Sequence, residues 1–455
     1  MKNGRLRVLA VLDSNESLQS AALRLLEGSI SPTVEFQEHC QRLMPEGFTL
    51  DFPPVVVPIG TGEIFDEAEI ERIDLRLLMH PETSKKFLVA GSIEVDDDGE
   101  IPEEFFADPP VQPHLTCGTS RSIGNNVDVQ TRLDTTTLRL NGLDGSGVAI
   151  AIVDTGIYAP HLEKALGFAF RKDGANSWTP STVATPAFWH RLGHGTMSAY
   201  DAVLVAPQAT LLDYAALLGR VDHSAQVTLA PMIVAYSKLL YSWKTSANPS
   251  IRAPALVISN SWGIYHPSLD FPANHPGRFI DNPNHPFRGL VWILARIARA
   301  DVVFAAGNCG VNCPAPPCLR RTAGAINGAA AYPEVLTVGG CDTNYGLVGY
   351  SSRGPAIAGM PNPQKPDLVA YTHFLGSTAA GRNRPDTGTS ASCPVAAGSI
   401  AAIRTRLPPL NASPAVLNNA LRQSAHPFPP GGWNPNYGHG VIRPVAAARL
   451  LGLIP

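Results

Sequence analysis

Four short runs in this chain are apolar at all or nearly all positions: residues 148–153, 256–258, 302–306 and 335–338. A strand with one wet face alternates apolar and polar residues, so a continuous apolar run has to be covered on both faces. Stretches with helical spacing, such as 290–300 and 394–404, separate the runs. Strands alternating with helices build a mostly parallel sheet between two helical layers, which predicts a three-layer α/β fold. Open sheets of this kind gather their chemistry at the carboxyl ends of the strands.

Those ends carry reactive groups. The first run closes on Asp154-Thr155-Gly156, a carboxylate at the tip of a buried strand. Gly193-His194-Gly195-Thr196 opens a helix-like stretch, and Gly388-Thr389-Ser390 is a Gly/Thr turn leading into another. Asp154, His194 and Ser390 meet the needs of nucleophilic acyl transfer. The hydroxyl is a weak nucleophile, the imidazole takes its proton, and a buried carboxylate holds the imidazole in one tautomer and supports the imidazolium. A further strand ends in Ala305-Ala306-Gly307-Asn308, and the Asn308 amide suits an oxyanion developing on a substrate carbonyl.

With these motifs in this order, the chain resembles the subtilisin-like serine proteases, the subtilases, from about Val129 to Leu451. Further family-like segments are Val205-Ala206-Pro207-Gln208-Ala209, Tyr350-Ser351-Ser352-Arg353-Gly354-Pro355 and Tyr437-Gly438-His439-Gly440. The resemblance implies endopeptidase hydrolysis, with Ser390 as nucleophile, His194 as base and then acid, Asp154 as orienting group and Asn308 in the oxyanion site. It implies a substrate-binding edge along Ser259, Asn260, Ser261, Trp262 and Gly263, faced by Ala305, Ala306 and Gly307, whose small side chains leave room for a sizeable group. The partner is then a protein or peptide substrate, and no cofactor is called for. The chain departs from the family pattern after Ser390 (Ala391-Ser392-Cys393-Pro394-Val395) and after Thr196 (Met197-Ser198-Ala199-Tyr200). The stretch from His194 to Pro207 is too short for the calcium loop that many relatives carry, so no calcium is expected there. The same acyl-enzyme captured by an amine would make a peptide ligase or macrocyclase, and a silent peptide-binding module is the third reading.

Residues 1–112 read differently. Strand patterns fall at 6–12, 53–59 and 87–95, and helical patterns at 18–26 and 64–79. This predicts a small α/β N-terminal domain, either like a subtilase propeptide or a retained module that recognises a regulatory protein partner. The acidic, proline-bearing stretch 96–113 breaks every period and reads as a linker that extends through 113–128, with the catalytic domain at 129–455. Glycine (40) and proline (41) together stay below the roughly 25–30% that marks low complexity. With 35 basic and 38 acidic side chains, nothing favours nucleic acid as a partner. No stretch approaches the roughly 18 apolar residues of a membrane span, and the run 8–12 is too short for a signal core, so a cytoplasmic location is expected.

The remaining candidates have plainer readings. Seven cysteines, clustered at Cys309, Cys313, Cys318 and Cys341, are not the even framework of a small secreted domain. In a cytosol they are reduced thiols by default, and in oxidising surroundings a disulfide forms within the set. Cys393 reads as a small core hydrophobe. Residues 264–289, rich in Pro, Asn and His, read as a cleft wall, with His275 and His285 as surface loop residues and no metal site. Asp201 reads as a solvated helix residue and Asp213 as a strand-end residue.

Overall fold

The first strand sets the scale of the N-terminal unit. β1 (Gly4–Asp13) pairs antiparallel with β4 (Lys86–Val95) along its whole length, and the sheet runs in the order β2 (Phe48–Leu50), β4, β1, β5 (Phe105–Ala107). β3 (Val56–Pro58) also pairs with β4. β2 comes so close to β4 that a Cβ on Gly91 would lie 2.4 Å from the Thr49 carbonyl oxygen, so only glycine fits there. The helix Glu16–Glu27 buries Leu18, Ala21, Ala22 and Leu26, one face at helical spacing. The computed structural model describes residues 4–27, 38, 40–51, 54–60, 80–95, 100–113, 116–117, 121–191, 193–218, 227–245 and 255–455. The expected strands near 6–12, 53–59 and 87–95 and the helix near 18–26 are present; the expected helix at 64–79 lies outside the described residues.

The stretch 96–113 departs from the linker expected. From Ile101 onward it is built into the structure: β5 pairs with β1, and Asp108 is buried and accepts from Arg7 Nη2 (2.7 Å) and from the Ala230 N–H (2.8 Å). Its order comes from groups distant in sequence, and for that reason no local period announces it. β6 (Gln112–Pro113) then leaves the N-terminal sheet.

Seven parallel strands form the second sheet: β7 (Val148–Val153), β8 (Arg171–Lys172), β9 (Thr210–Tyr214), β10 (Ala255–Asn260), β12 (Asp301–Ala305), β13 (Leu336–Cys341) and β14 (Leu368–Tyr371). Their order is β14-β13-β12-β10-β7-β9-β8. The two faces sort into two cores. Ala149, Ala151 and Val153 face the helices Leu229–Thr245 and Pro286–Trp292, whereas Val148, Ile150 and Ile152 face Gly193–Val203 and Thr389–Arg404. Continuous burial of β7 thus reflects two covered faces, as its composition requires. The side chains of the N-terminal sheet share the first of these cores, so β1 to β5 pack on the Leu229–Thr245 side.

The helix Thr389–Arg404 is buried throughout, down to the charged Arg404, whose Nε and Nη2 donate to Asp301 at 2.6 and 2.7 Å. Removing one partner of a buried pair leaves the other charge uncompensated. Asp301→Ala should therefore cost about 3–5 kcal/mol of stability, and the Asp301→Leu/Arg404→Met double variant should recover most of it. Guanidinium denaturation midpoints of the three proteins check this; a small loss in Asp301→Ala would show that the pair contributes little.

Candidate active site

β12, β10 and β7 are neighbours, and their carboxyl ends bring three segments together. β7 leads into Asp154, β10 continues through Ser261 to β11 (Trp262–Gly263), and β12 leads into Ala306-Gly307-Asn308. Asp154 is 1% exposed and its Oδ1 lies 2.7 Å from His194 Nδ1. The same oxygen accepts from the Thr155 N–H (2.6 Å), and Oδ2 accepts from Ser198 Oγ (3.1 Å). Ser198 stands one turn after His194 on the same helix, so one carboxylate holds both the imidazole and the helix that carries it. Gly195 permits the approach: a Cβ there would lie 2.4 Å from the Gly156 carbonyl oxygen. With Nδ1 donating to the carboxylate, the basic nitrogen of His194 is Nε2, which has no hydrogen-bond partner among the described residues.

Ser390 lies in the first turn of Thr389–Arg404, after Gly388 at φ 82°. Its Oγ donates to the Ser261 carbonyl oxygen at 3.5 Å. The return contact has a cause in the sequence. Pro394 has no N–H to give the Ser390 carbonyl, and Ser261 Oγ donates to that oxygen instead, at 3.0 Å. Asn308 is fully buried, and its Oδ1 accepts from both the N–H (2.9 Å) and the Oγ1 (3.0 Å) of Thr389. An amide whose oxygen is committed in this way presents its Nδ2 in the opposite direction, as a donor.

Beside Asn308 lies a small, mainly apolar pocket, with Trp262, Tyr265, Phe279, Phe304, Ala306 and Ala330 in its wall. Phe279 and Tyr265 come from the loop 264–289, which does serve as a cleft wall. The exposed edge beside the pocket is occupied. β6 pairs antiparallel with β11, Pro113 opposite Trp262 and Gln112 opposite Gly263, and Tyr265 Oη donates to the Pro113 carbonyl at 3.2 Å.

Asp154, His194, Ser390, Asn308, Ser261, Trp262, Gly263, Ala306 and Gly307 are brought together here, whereas Ser259, Asn260 and Ala305 point elsewhere. Asn260 spends its side chain on the core: Oδ1 accepts from Tyr236 Oη and Trp262 Nε1, and Nδ2 donates to the Val303 carbonyl. Ser259 Oγ meets Cys393 Sγ at 3.7 Å inside the protein, and Ala305 belongs to the core beneath the sheet. Sequence reasoning passed over Ser198, Thr389 and Phe279; the spacing of Ser198 from His194 was the one available signal.

Three of the plainer readings change, while Asp213 does sit near the end of a strand. Asp201 is fully buried instead of solvated, because the helix Gly193–Val203 is enclosed from Gly195 onward. Asp213 lies buried in β9, and its Oδ2 accepts from the N–H groups of Phe188 (2.6 Å) and Ile157 (3.2 Å). His275 and His285 are inward-facing: their Nε2 atoms lie 3.1 Å from the Ile101 carbonyl and 3.0 Å from the Ala107 carbonyl, so the loop 264–289 grips the N-terminal unit. The cysteines are not simply thiols. Cys117 bonds Cys313 and Cys309 bonds Cys318, while Cys40, Cys341 and Cys393 are free and buried. Among the described residues no cluster of His, Cys, Asp or Glu suits a metal ion, and no helix is long and apolar enough to cross a membrane.

Comparison with known proteins adds an independent finding. The model of the subtilase family matches residues 145–440. Bacillopeptidase F of Bacillus subtilis (strain 168) is 26% identical over 332 residues, which cover 66% of this chain and 20% of that protein. Human membrane-bound transcription factor site-1 protease is 28% identical over 323 residues, 68% of this chain and 26% of that protein. The chain therefore spans only about a quarter or less of the length of these two relatives. Mycosin-1 of Mycolicibacterium smegmatis is 25% identical over 382 residues, 78% of this chain and 80% of that protein. Among solved structures, MycP1 from the ESX-1 type VII secretion system aligns with a TM-score of 0.48 at 21% identity, covering 78% of this chain and 95% of that chain.

Burial pushes the Asp213 carboxyl up to about 7 against the pull of its two backbone donors, and the charge of Asp154 adds to the rise. A carboxyl that holds its proton more tightly in the folded state stabilises fully below its unfolded value, about 4, and loses that contribution as pH rises through 7. Asp213→Asn keeps an acceptor oxygen for both N–H groups and cannot ionise. Relative to the wild type it should gain stability between about pH 4 and pH 7, measured by denaturant unfolding at several pH values. An equal difference at all pH values would show that Asp213 does not titrate in this window.

Proposed function

The chain belongs to the subtilase family, and from that premise we propose that it is a serine endopeptidase acting through an acyl-enzyme. The observation that carries the reading is the Asp154–His194 contact of 2.7 Å beside a helix that opens with Ser390, with the Asn308 amide turned to donate. His194 Nε2 takes the proton of Ser390 Oγ as that oxygen bonds to the scissile carbonyl carbon. The tetrahedral oxyanion receives hydrogen bonds from Asn308 Nδ2 and the Ser390 N–H. Collapse breaks the C–N bond, and His194 returns its proton to the leaving amine. Water then repeats the sequence on the ester, again through His194. Asp154 stabilises the imidazolium in both halves. Every step is served by side chains already in the chain.

Substrate would extend antiparallel along Ser261-Trp262-Gly263, the geometry that Gln112–Pro113 already occupies. That occupancy supports the N-terminal unit as an internal occupant of the cleft, in preference to a detached partner-recognition domain. The aromatic and alanine wall of the pocket favours an apolar side chain. Two disulfides support an oxidising compartment over the cytoplasmic location expected from the sequence.

Ser390→Ala should lose turnover by around a million-fold and keep its fold. Intact masses of the two proteins report on the N-terminal unit at the same time. A wild type shortened near residues 96–128 beside a full-length Ser390→Ala means self-processing, and two full-length proteins mean a retained occupant. Full activity in clean Ser390→Ala would displace the nucleophile.

Asn308→Ala should lower kcat by about a hundredfold to a thousandfold with KM little changed, because the interaction of Nδ2 with the substrate carbonyl strengthens as the oxyanion develops. Steady-state kinetics decide it: a large rise in KM at constant kcat would place Asn308 in ground-state binding.

A further inference from the structure

Behind the proposed triad, two carboxyl groups are buried against each other. Asp201 is carried by the helix Gly193–Val203, about two turns beyond His194. Asp386 opens the segment Asp386-Thr387-Gly388-Thr389-Ser390. Both are 0% exposed. Asp386 is well supplied with donors: Oδ2 accepts from the Ser377 N–H and Oδ1 from Ser377 Oγ, each at 2.5 Å. Asp201 has no such donors. Neither of its oxygens accepts from any N–H or O–H among the described residues, and what its carboxyl faces is the carboxyl of Asp386.

The other titratable groups coupled to the pair are Tyr200 on the same helix and His161, whose Nε2 lies 2.8 Å from the Ser377 carbonyl. Among the described residues no cation is paired with Asp201. Two carboxylates cannot both be charged in such a place, so one proton stays with the pair. Burial, and then Asp386, hold the Asp201 carboxyl well above the ordinary carboxylate range, while burial raises Asp386 to about 6 against its Ser377 donors. The donor pattern assigns the proton: Asp386, with two donors, is the carboxylate, and Asp201, with none, is the acid. The chain also makes room for the pair. A Cβ on Gly376 would lie 2.3 Å from Asp386 Oδ2 and 3.1 Å from the Tyr200 ring.

We propose that the Asp201 carboxylic acid, donating its O–H to the Asp386 carboxylate, is a positioning device that ties the helix of His194 to the segment of Ser390 and sets the alignment of base and nucleophile. Neither residue touches substrate; both act through the elements that carry the reacting groups. Removal of the proton places two negative charges in contact inside the protein, and the elements they sit on part. The proposal rests on the triad reading above.

The test begins with fluorophosphonate labelling of Ser390 in the wild type, since absence of label removes the triad reading by itself. Then kcat and KM are followed from weakly acidic to alkaline pH in the wild type, Asp201→Asn and Asp201→Ala, at a temperature where circular dichroism shows each protein folded. Asp201→Asn carries an N–H donor that alkali does not remove. It should keep kcat near the wild-type value at neutral pH and hold it through the alkaline range where the wild type falls. Asp201→Ala should lose on the order of a hundredfold in kcat at every pH, with KM little changed, as a small misplacement of reacting groups does. An alkaline limb in Asp201→Asn identical to the wild type, or a wild-type kcat in Asp201→Ala, overturns the proposal. If Asp201→Ala does not fold, the alkaline limb of Asp201→Asn alone decides.

Discussion

Every residue from Thr389 to Arg404 is buried, so this helix has to be enclosed on all sides. On one side lies the parallel sheet, on another the helix Gly193–Val203, and the carboxyl ends of β12, β10 and β7 surround its first turn. The enclosure places Ser390 at the carboxyl ends of the strands, on a helix that packs against both the helix of His194 and β7, the strand that precedes Asp154. It also forces two polar adjustments. Arg404 needs Asp301 at one end, and the Ser390 carbonyl, left without a donor by Pro394, needs Ser261 Oγ at the other. The second adjustment ties Ser390 to the segment between β10 and β11.

The N-terminal unit shares a core with the Leu229–Thr245 side of the sheet and enters the cleft at a strand edge. An open edge is a row of unmet backbone groups, suited to any extended chain of the right length. In this protein Gln112 and Pro113 meet it. The histidines of the loop 264–289 fasten the incoming segment through backbone carbonyls, which bind without regard to side chain.

How much of this was legible depended on how local the signal was. Continuous apolar runs announce strands covered on both faces, so β7, β10, β12 and β13 could be read directly from residue order. Asp154 and Asn308 stood out because each follows such a run, whereas His194 and Ser390 stood out only through the short motifs that open their helices. Two-residue strands such as β6, β8 and β11 carry no period. Asp201 looked solvated because charge on a helix usually is; its partner Asp386 is remote in sequence and on another element. Asn260 was misplaced for a related reason, since a strand's alternation turns its side chain inward beside the substrate edge. The cysteines misled by their odd total: the pairing of Cys117 with Cys313 joins two parts of the chain that no spacing rule connects.

That disulfide makes the position of any break in the chain consequential. Cys117 lies only a few residues beyond Pro113, which pairs with Trp262 of β11. A break between them leaves Cys117 with the unit that carries Cys313 and turns the residues before it into a separate polypeptide, whose hold on β11 weakens on dilution. A break after Cys117 leaves the same residues covalently attached through Cys313, at an effective concentration that dilution does not change. Only a reductant would then convert the tethered occupant into a dissociable one.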